Sequence, residues 1–181
     1  MTATGLRRLL HASTASVVLL VPLVSWTGLR TAVAGAAVGA LLLETLRLRV
    51  PSVGTRLRRL VPVFRDREIA RPSGAMWLAV GYGLAVLLPA PAAAGGIVVG
   101  AVADPAASWI GSLGRAIGPK TWRGSLVHLV VAVAVLAALG FPAVSVLAGA
   151  TVGSALERWP AGLDDNLLIA PGVALTLTLF M

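Results

Sequence analysis

DPAASWIGSLGRAIGPKTWRGS, residues 104–125, is the stretch where an acid, a proline, spaced glycines, a lysine and a Gly-Ser pair stand together at the end of a long apolar run. A carboxylate at the end of such a run is costly unless it faces protein, water or a cation, so Asp104 marks a functional position. Pro105 lacks an N–H and clashes with the preceding turn, which predicts a kink or partial unwinding over residues 104–107. Non-helical backbone at that depth has to face protein or water.

Working outward, the whole chain is too apolar for an ordinary soluble fold. Of its 181 residues, 57% are apolar and 12% charged, with a mean hydropathy of +0.91. We read it as a single all-α integral membrane domain over residues 1–181, a polytopic bundle of about seven transmembrane helices. The apolar segments are 12–29, 31–46, 74–88, 92–103, 125–141, 142–156 and 166–181. Several are shorter than the roughly 20 residues that a full crossing prefers, so tilt or local thinning is expected. Pro22 inside the first segment is tolerable where neighbouring helices satisfy the freed carbonyl. Gly35 and Gly39 in the second have the spacing of close helix packing. Residues 47–71 form the main solvent-facing connection. Their arginines are interspersed with Leu57, Leu60, Val61 and Phe64, a pattern that suits a short helix in the headgroup plane.

Charge placement gives the orientation. With the N-terminus cytoplasmic, every lysine and arginine except Arg30 falls on the N-terminal segment or on the loops at 47–73, 104–124 and 157–165, as the positive-inside rule requires. The active face is then cytoplasmic. Arg7 and Arg8 before an apolar run, with Thr31-Ala32-Val33-Ala34 after it, also fit a signal peptide; the second apolar run, left without a partner by cleavage, argues for a retained helix. The net charge of +8 lies in short runs between apolar segments, which suits anionic headgroups and argues against nucleic acid. With no cysteine, disulfides and thiolate metal sites are excluded.

The motifs in this frame resemble those of the CTP-dependent lipid kinases that phosphorylate dolichol, phytol or diacylglycerol. Asp104-Pro105-Ala106-Ala107, Gly111-x-x-Gly114-Arg115 and Lys120-Thr121-x-x-Gly124-Ser125 match in order and spacing. Arg7-Arg8-x-x-His11 is similar to the early basic element of that family, and Gly162-x-Asp164-Asp165-Asn166 to its late one; Glu44-x-x-Arg47 and Arg71-Pro72-Ser73-Gly74-Ala75 resemble segments between them. The resemblance covers most of the chain. Three positions depart from it: Ala103 replaces a usual glycine, Arg8 a frequent lysine, and Arg123 an acid that commonly precedes Gly-Ser.

The resemblance implies Mg²⁺-dependent phosphoryl transfer from CTP, as co-substrate, to the hydroxyl of a membrane lipid, with no nucleic-acid partner and no obligate protein partner evident. Such chemistry needs a divalent cation, cationic or N–H donors around phosphates, and an oriented hydroxyl. Asp104 reads as the first magnesium ligand, or else as a capping acid. Of the adjacent acids Asp164 and Asp165, one suits a helix cap and the other, for which we favour Asp165, a metal ligand or base; Asn166 completes a weaker metal set. Lys120, the chain's one lysine, stands where the resemblance puts a phosphate contact, and otherwise reads as a snorkelling anchor. Gly111, Gly114 and Gly118 suit an anion-binding nest or plain helix packing. Gly124 and Ser125 suit an oxyanion at a helix start, with Ser125 as an alternative cap. Arg7 and His11 share a helix face, and with Arg8 the resemblance makes them nucleotide contacts. Arg115 belongs to the same set. Glu157 reads as an ion-pair partner or a member of the metal shell, and His128 as a hydrogen-bonded membrane histidine. Gly118-Pro119-Lys120-Thr121 is not a P-loop, since proline precedes the lysine.

Two alternatives carry different outcomes. A CTP:phosphatidate cytidylyltransferase-like enzyme would use similar groups and release pyrophosphate. A non-catalytic scaffold or lipid-binding relic would not bind CTP with metal.

Overall fold

The computed structural model describes residues 3–21, 23–61, 64–113 and 120–181, and these are helical almost throughout. The sequence features at Pro22, Pro62, Gly114, Arg115, Gly118 and Pro119 lie outside the described residues. In chain order the elements are α1 (Ala3–Ser13), α2 (Ser16–Leu19), α3 (Trp26–Arg49), α4 (Pro51–Leu60), a 3-10 turn (Asp66–Glu68), α5 (Gly74–Ala85), α6 (Ala90–Gly111), α7 (Trp122–Ala138), α8 (Ala143–Arg158) and α9 (Asp165–Phe180). Two of them, α3 and α6, are long and apolar enough to cross a membrane by length and composition; α5, α7 and α9 are apolar but shorter.

The first apolar segment is not the single helix expected of it. The hydroxyls of Ser13, Thr14 and Ser16 each donate to the carbonyl three residues back, at Leu10, His11 and Ser13. These local bonds compete with the helical ladder. The chain turns at Thr14 and Ala15, forms the short α2, and enters α3 only at Ser25, which caps it by accepting from Gly28 N–H at 3.1 Å. The long α6 gives the opposite result, since the helix runs through Pro105 without the expected unwinding.

The core is a ring of four helices in which α6 packs on α7, α7 on α8, α8 on α9 and α9 back on α6. Val99, Leu136, Ile169, Val173 and Leu177 fill it, with alanines at the crossings. α5 joins through α9, α3 through α5, and α1 lies on α6. Gly35 and Gly39 have nothing within 4 Å of where a side chain would start, so they do not make the helix contact their spacing predicts. The close contact between α3 and α5 falls instead at Ala37 and Gly83.

The connection after α3 is less open than its composition predicts. Arg47 is 3% exposed and Glu44 7%. Their forked pair is closed by bonds of 2.9 and 2.8 Å, and Arg47 also donates to the carbonyls of Glu68 at 2.8 Å and Arg71 at 2.7 Å. Ser73 N–H donates to Glu44, and the Ser73 hydroxyl caps α5 by accepting from Met76 N–H. A buried ion pair of this kind holds only when its remaining donors and acceptors are satisfied. Here they tie the loop at 64–73 to the end of α3.

Candidate active site

Seven chain segments bring polar ends to one end of the bundle: α1, the end of α3, the start of α5, the end of α6, the start of α7, the end of α8 and the start of α9. Between α1, α6, α7, α8 and α9 lies a charged cavity of about 390 Å³. Asp104, Lys120, Glu157, Asp164, Asp165, Arg7, Arg8 and His11 are on its wall.

Lys120 is the centre of the cluster. Its Nζ donates to Asp165 Oδ2, lies 2.8 Å from Glu157 Oε1 and 3.8 Å from Asp104 Oδ1. Burial alone would lower the ammonium's pKa; the carboxylates of Asp165, Asp104 and Glu157 outweigh it and hold Lys120 above the ordinary lysine range. The lysine thus acts first as counter-ion to three acids, a role its sequence position did not disclose.

The helix starts explain the acids' directions. Asp164 caps α9, its Oδ1 accepting from Asn166 N–H at 3.2 Å and from Asn166 Nδ2 at 2.6 Å. Asp165, one residue on, points to Lys120. The adjacent acids therefore divide as cap and cavity ligand, and Asp164 and Asn166 are engaged with each other. Burial, then Asp165, raises the Asp164 carboxyl above its usual range.

α7 starts earlier than the apolar pattern predicts. Thr121 is its cap, accepting from Gly124 N–H at 3.1 Å. Ser125 N–H is taken by the Thr121 carbonyl at 3.0 Å, so neither amide is left for an oxyanion. Ser125 lies inside the helix, where its hydroxyl donates to Glu157 Oε2 at 2.9 Å. Gly111 and Gly124 are packed against each other where α6 meets α7: a Cβ on Gly111 would stand 2.8 Å from Thr121 Oγ1, and one on Gly124 3.0 Å from the Ala107 carbonyl. Their absent side chains let the two helices close behind Lys120, with both glycines on the cavity wall.

The early basic element splits. Arg7 pairs with Glu68 at 2.8 Å, across Gly74, where any side chain would strike the guanidinium. Burial raises the Glu68 carboxyl, but the Arg65 N–H and the Arg7 guanidinium more than reverse this and hold it below its usual range. Arg8 donates from Nε to Ser108 Oγ at 3.1 Å and from Nη2 to the Ser108 carbonyl at 2.9 Å, binding α1 to the end of α6. His11 Nδ1 stands 3.7 Å from Asp104 Oδ2. Burial pulls the imidazole down to about 4, so the contact is a neutral one near pH 7.

Two adjacent residues of α8 complete the site: Glu157, which the sequence offered as an ion-pair partner or metal-shell member, and Arg158, which it did not single out. Glu157, 3% exposed, bridges Lys120 and Ser125; the signal was an acid ending an apolar helix, the same argument that singled out Asp104. Arg158 Nη1 donates to the Lys120 carbonyl at 2.7 Å while its guanidinium lies 4.5 Å from the Trp122 ring centroid. Trp122 and Trp159 meet edge to face at 6.0 Å. α8 thus holds Lys120 by side chain and main chain through adjacent residues. Arg123, by contrast, is exposed and off the cavity wall, so the charge it reverses in the motif does not reach the site. His128 accepts or donates at Nδ1 to Ser154 Oγ, 3.0 Å away, one turn deeper between α7 and α8.

Hard carboxylate oxygens around a cation suit a small divalent ion, but among the described residues no group of three or more His, Asp or Glu side chains is placed to hold one alone. The donor set fits a metal that arrives with phosphate oxygens, the usual manner of magnesium. A second, mostly apolar cavity of about 480 Å³ lies between α1, α3, α4 and α5, and it shares Arg7, His11 and Asn166 with the charged one.

The class of protein defined at this point is an all-helical bundle with a charged cavity at one end and an apolar one beside it. No family model matches the chain, and neither does any curated protein or solved structure.

Proposed function

We propose that the chain is a multi-pass membrane enzyme that transfers a phosphoryl group from Mg²⁺-bound CTP to the hydroxyl of a lipid alcohol, such as a polyprenol, phytol or diacylglycerol. One observation carries this reading: an apolar cavity and a charged cavity meet at Arg7, His11 and Asn166. A lipid chain in the first would place its hydroxyl at the edge of the second. The resemblance of the Asp104–Ser125 stretch to the CTP-dependent lipid kinases supports the same assignment.

Membrane placement rests on the outward faces. Leu42, Leu46, Leu126, Val130, Val144, Leu147 and Leu179 are exposed on the helix flanks, more apolar surface than a soluble monomer carries unpartnered. In this orientation residues 12–25 cross as a broken segment, followed by α3 and α5 to α9, and the charged end is cytoplasmic.

The bound dication would supply charge neutralisation on the phosphates. Asp104 and Asp165 are the residues to hold it. With a dication held by those acids, the Lys120 ammonium would be available to phosphate oxygens. Glu157 keeps Lys120 within reach, and Ser125 orients Glu157. Asp104 lies beside neutral His11, which lines both cavities, and would accept the lipid hydroxyl's proton. Arg8 and Arg7 are structural first, fixing α1 over the cavity.

The test is transfer of label from γ-labelled nucleoside triphosphates to a panel of lipid alcohols by the purified protein. Labelled lipid with release of CDP supports the assignment. Release of pyrophosphate identifies the cytidylyltransferase alternative, and no metal-dependent CTP binding leaves the scaffold.

A further inference from the structure

The short α4 carries more positive charge than the protein neutralises. Arg56, Arg58 and Arg59 lie on it and Arg49 just before it, and among the described residues no carboxylate is within ion-pair distance of any of the four. Of the nearby acids, Glu44 is paired with Arg47 and Glu68 with Arg7, while the exposed Asp66 is not within ion-pair distance of these arginines. Arg49, Arg56 and Arg59 are exposed, and so is Leu60, at 71%.

α4 packs closely on α3, turned back on it at Gly54, where a side chain would stand 2.7 Å from the Arg47 carbonyl. Its other face looks inward: Leu57, with Val61 and Phe64 just beyond the helix, lines the apolar cavity. The helix therefore has arginines outside and an apolar cavity wall inside. Leu60 is exposed, and α3, on which α4 packs, has an exposed apolar flank of its own at Leu42 and Leu46. Nucleic acid would match the arginines and leave that flank unmatched. A bilayer surface with anionic headgroups matches both, since the headgroups meet guanidinium groups while the hydrocarbon beneath meets leucine.

We infer that α4 docks on anionic phospholipid headgroups, and that this seating closes the outer wall of the apolar cavity over a bound lipid chain. The second half rests on the function proposed above; the docking does not.

The absence of cysteine from the chain makes a clean probe possible. Thr55→Cys, on an exposed position of α4, carries an environment-sensitive fluorophore in the full-length protein reconstituted into vesicles of phosphatidylcholine alone, or with about a third phosphatidylglycerol. In the anionic vesicles, quenching by acrylamide falls about twofold, and salt near 0.5 M, where screening is strong, reverses this. Arg56→Gln with Arg59→Gln removes at least about half of the effect, and the matching lysine pair retains it, since each cation contributes separately. In the same vesicles the KM for a lipid alcohol falls several-fold with phosphatidylglycerol while kcat holds. Equal quenching in both membranes overturns the docking. Protection in neutral vesicles on adding duplex RNA overturns the choice of partner. Protection by phosphatidylglycerol without phosphoryl transfer in any membrane leaves the docking standing and removes the kinase reading. Transfer with a KM indifferent to phosphatidylglycerol overturns the closing role alone.

Discussion

Replacing Lys120 by methionine keeps the length and apolar stem of the side chain but leaves Asp104, Glu157 and Asp165 facing one another without a cation. Their side chains are 14%, 4% and 17% exposed, and that of Lys120 is 29% exposed. Removing one partner of a buried ion pair costs about 3–5 kcal/mol. Partial exposure of the lysine places this case at the lower end, about 3 kcal/mol, reduced further to the extent that one acid takes up a proton. For a chain of this size that corresponds to a fall in Tm of about 6–12 °C. The assay is thermal unfolding of the detergent-purified protein, followed by tryptophan fluorescence. Two outcomes separate a cluster held by charge from simple loss of packing. Millimolar Mg²⁺ together with CTP should recover part of the loss, because the carboxylates then meet a cation that brings its own phosphate ligands. Lys120→Met combined with Asp165→Asn should be more stable than Lys120→Met alone, because removing one negative charge relieves the repulsion. A variant that melts within about 2 °C of wild type, or a double variant less stable than the single one, refutes the account of Lys120 as counter-ion.

Asp104→Asn should abolish phosphoryl transfer while the protein still inserts and elutes normally, and near-normal turnover would remove Asp104 from the metal site. Arg123→Ala should leave CTP and Mg²⁺ titrations unchanged, because the side chain is exposed and off the cavity wall; a weakened nucleotide affinity would return Arg123 to the site. Single cysteines at the exposed Ser52, Ser112 and Ala161 should label from the cytoplasmic side and one at Ala143, exposed at the start of α8, from the other, and labelling of Ser112 from outside would overturn the topology. Acid stability should respond to Glu68, whose folded pKa lies below its ordinary value of 4.5. Its contribution is complete above that value and is lost as pH falls through the lower folded pKa, so Glu68→Gln should flatten the decline of Tm on acidification and lower the Tm near pH 7.

What was legible in the sequence was that the later apolar helices end in charged residues, because charge and apolar runs change there abruptly, even where the exact bounds of α6 and α7 differ from the predicted ones. Asp104, Lys120 and Asp165 come together for that reason: each stands where an apolar helix meets a charged loop, and alternating helix directions carry all such points to one end. The same logic extends to Glu157. The bond from Ser125 to Glu157 depends instead on how α7 crosses α8, and no spacing along the chain encodes a partner 32 residues away. Arg123 shows the limit of reading by adjacency. It adjoins the motif in sequence, but successive helical residues are rotated by about 100°, so that Gly124 and Ser125 turn inward while Arg123 turns out.

The broken first segment shows how a legible cue can be outweighed by a pattern read too coarsely. Residues 12–29 are apolar enough on average to predict one helix. Yet Ser13, Thr14 and Ser16 sit within four positions, and their hydroxyls bond to the carbonyls of Leu10, His11 and Ser13 in competition with the regular ladder. The consequence reaches the site. Tyr82 on α5 meets Thr14 at 2.8 Å just where α1 ends, and one turn earlier His11 rests against Asp104. The turn ends α1 alongside the last turns of α6, with Arg8 at Ser108 and His11 at Asp104, while Arg7 reaches the loop before α5. The early basic element thus closes the charged cavity because the helix that bears it stops where three hydroxyls make stopping favourable.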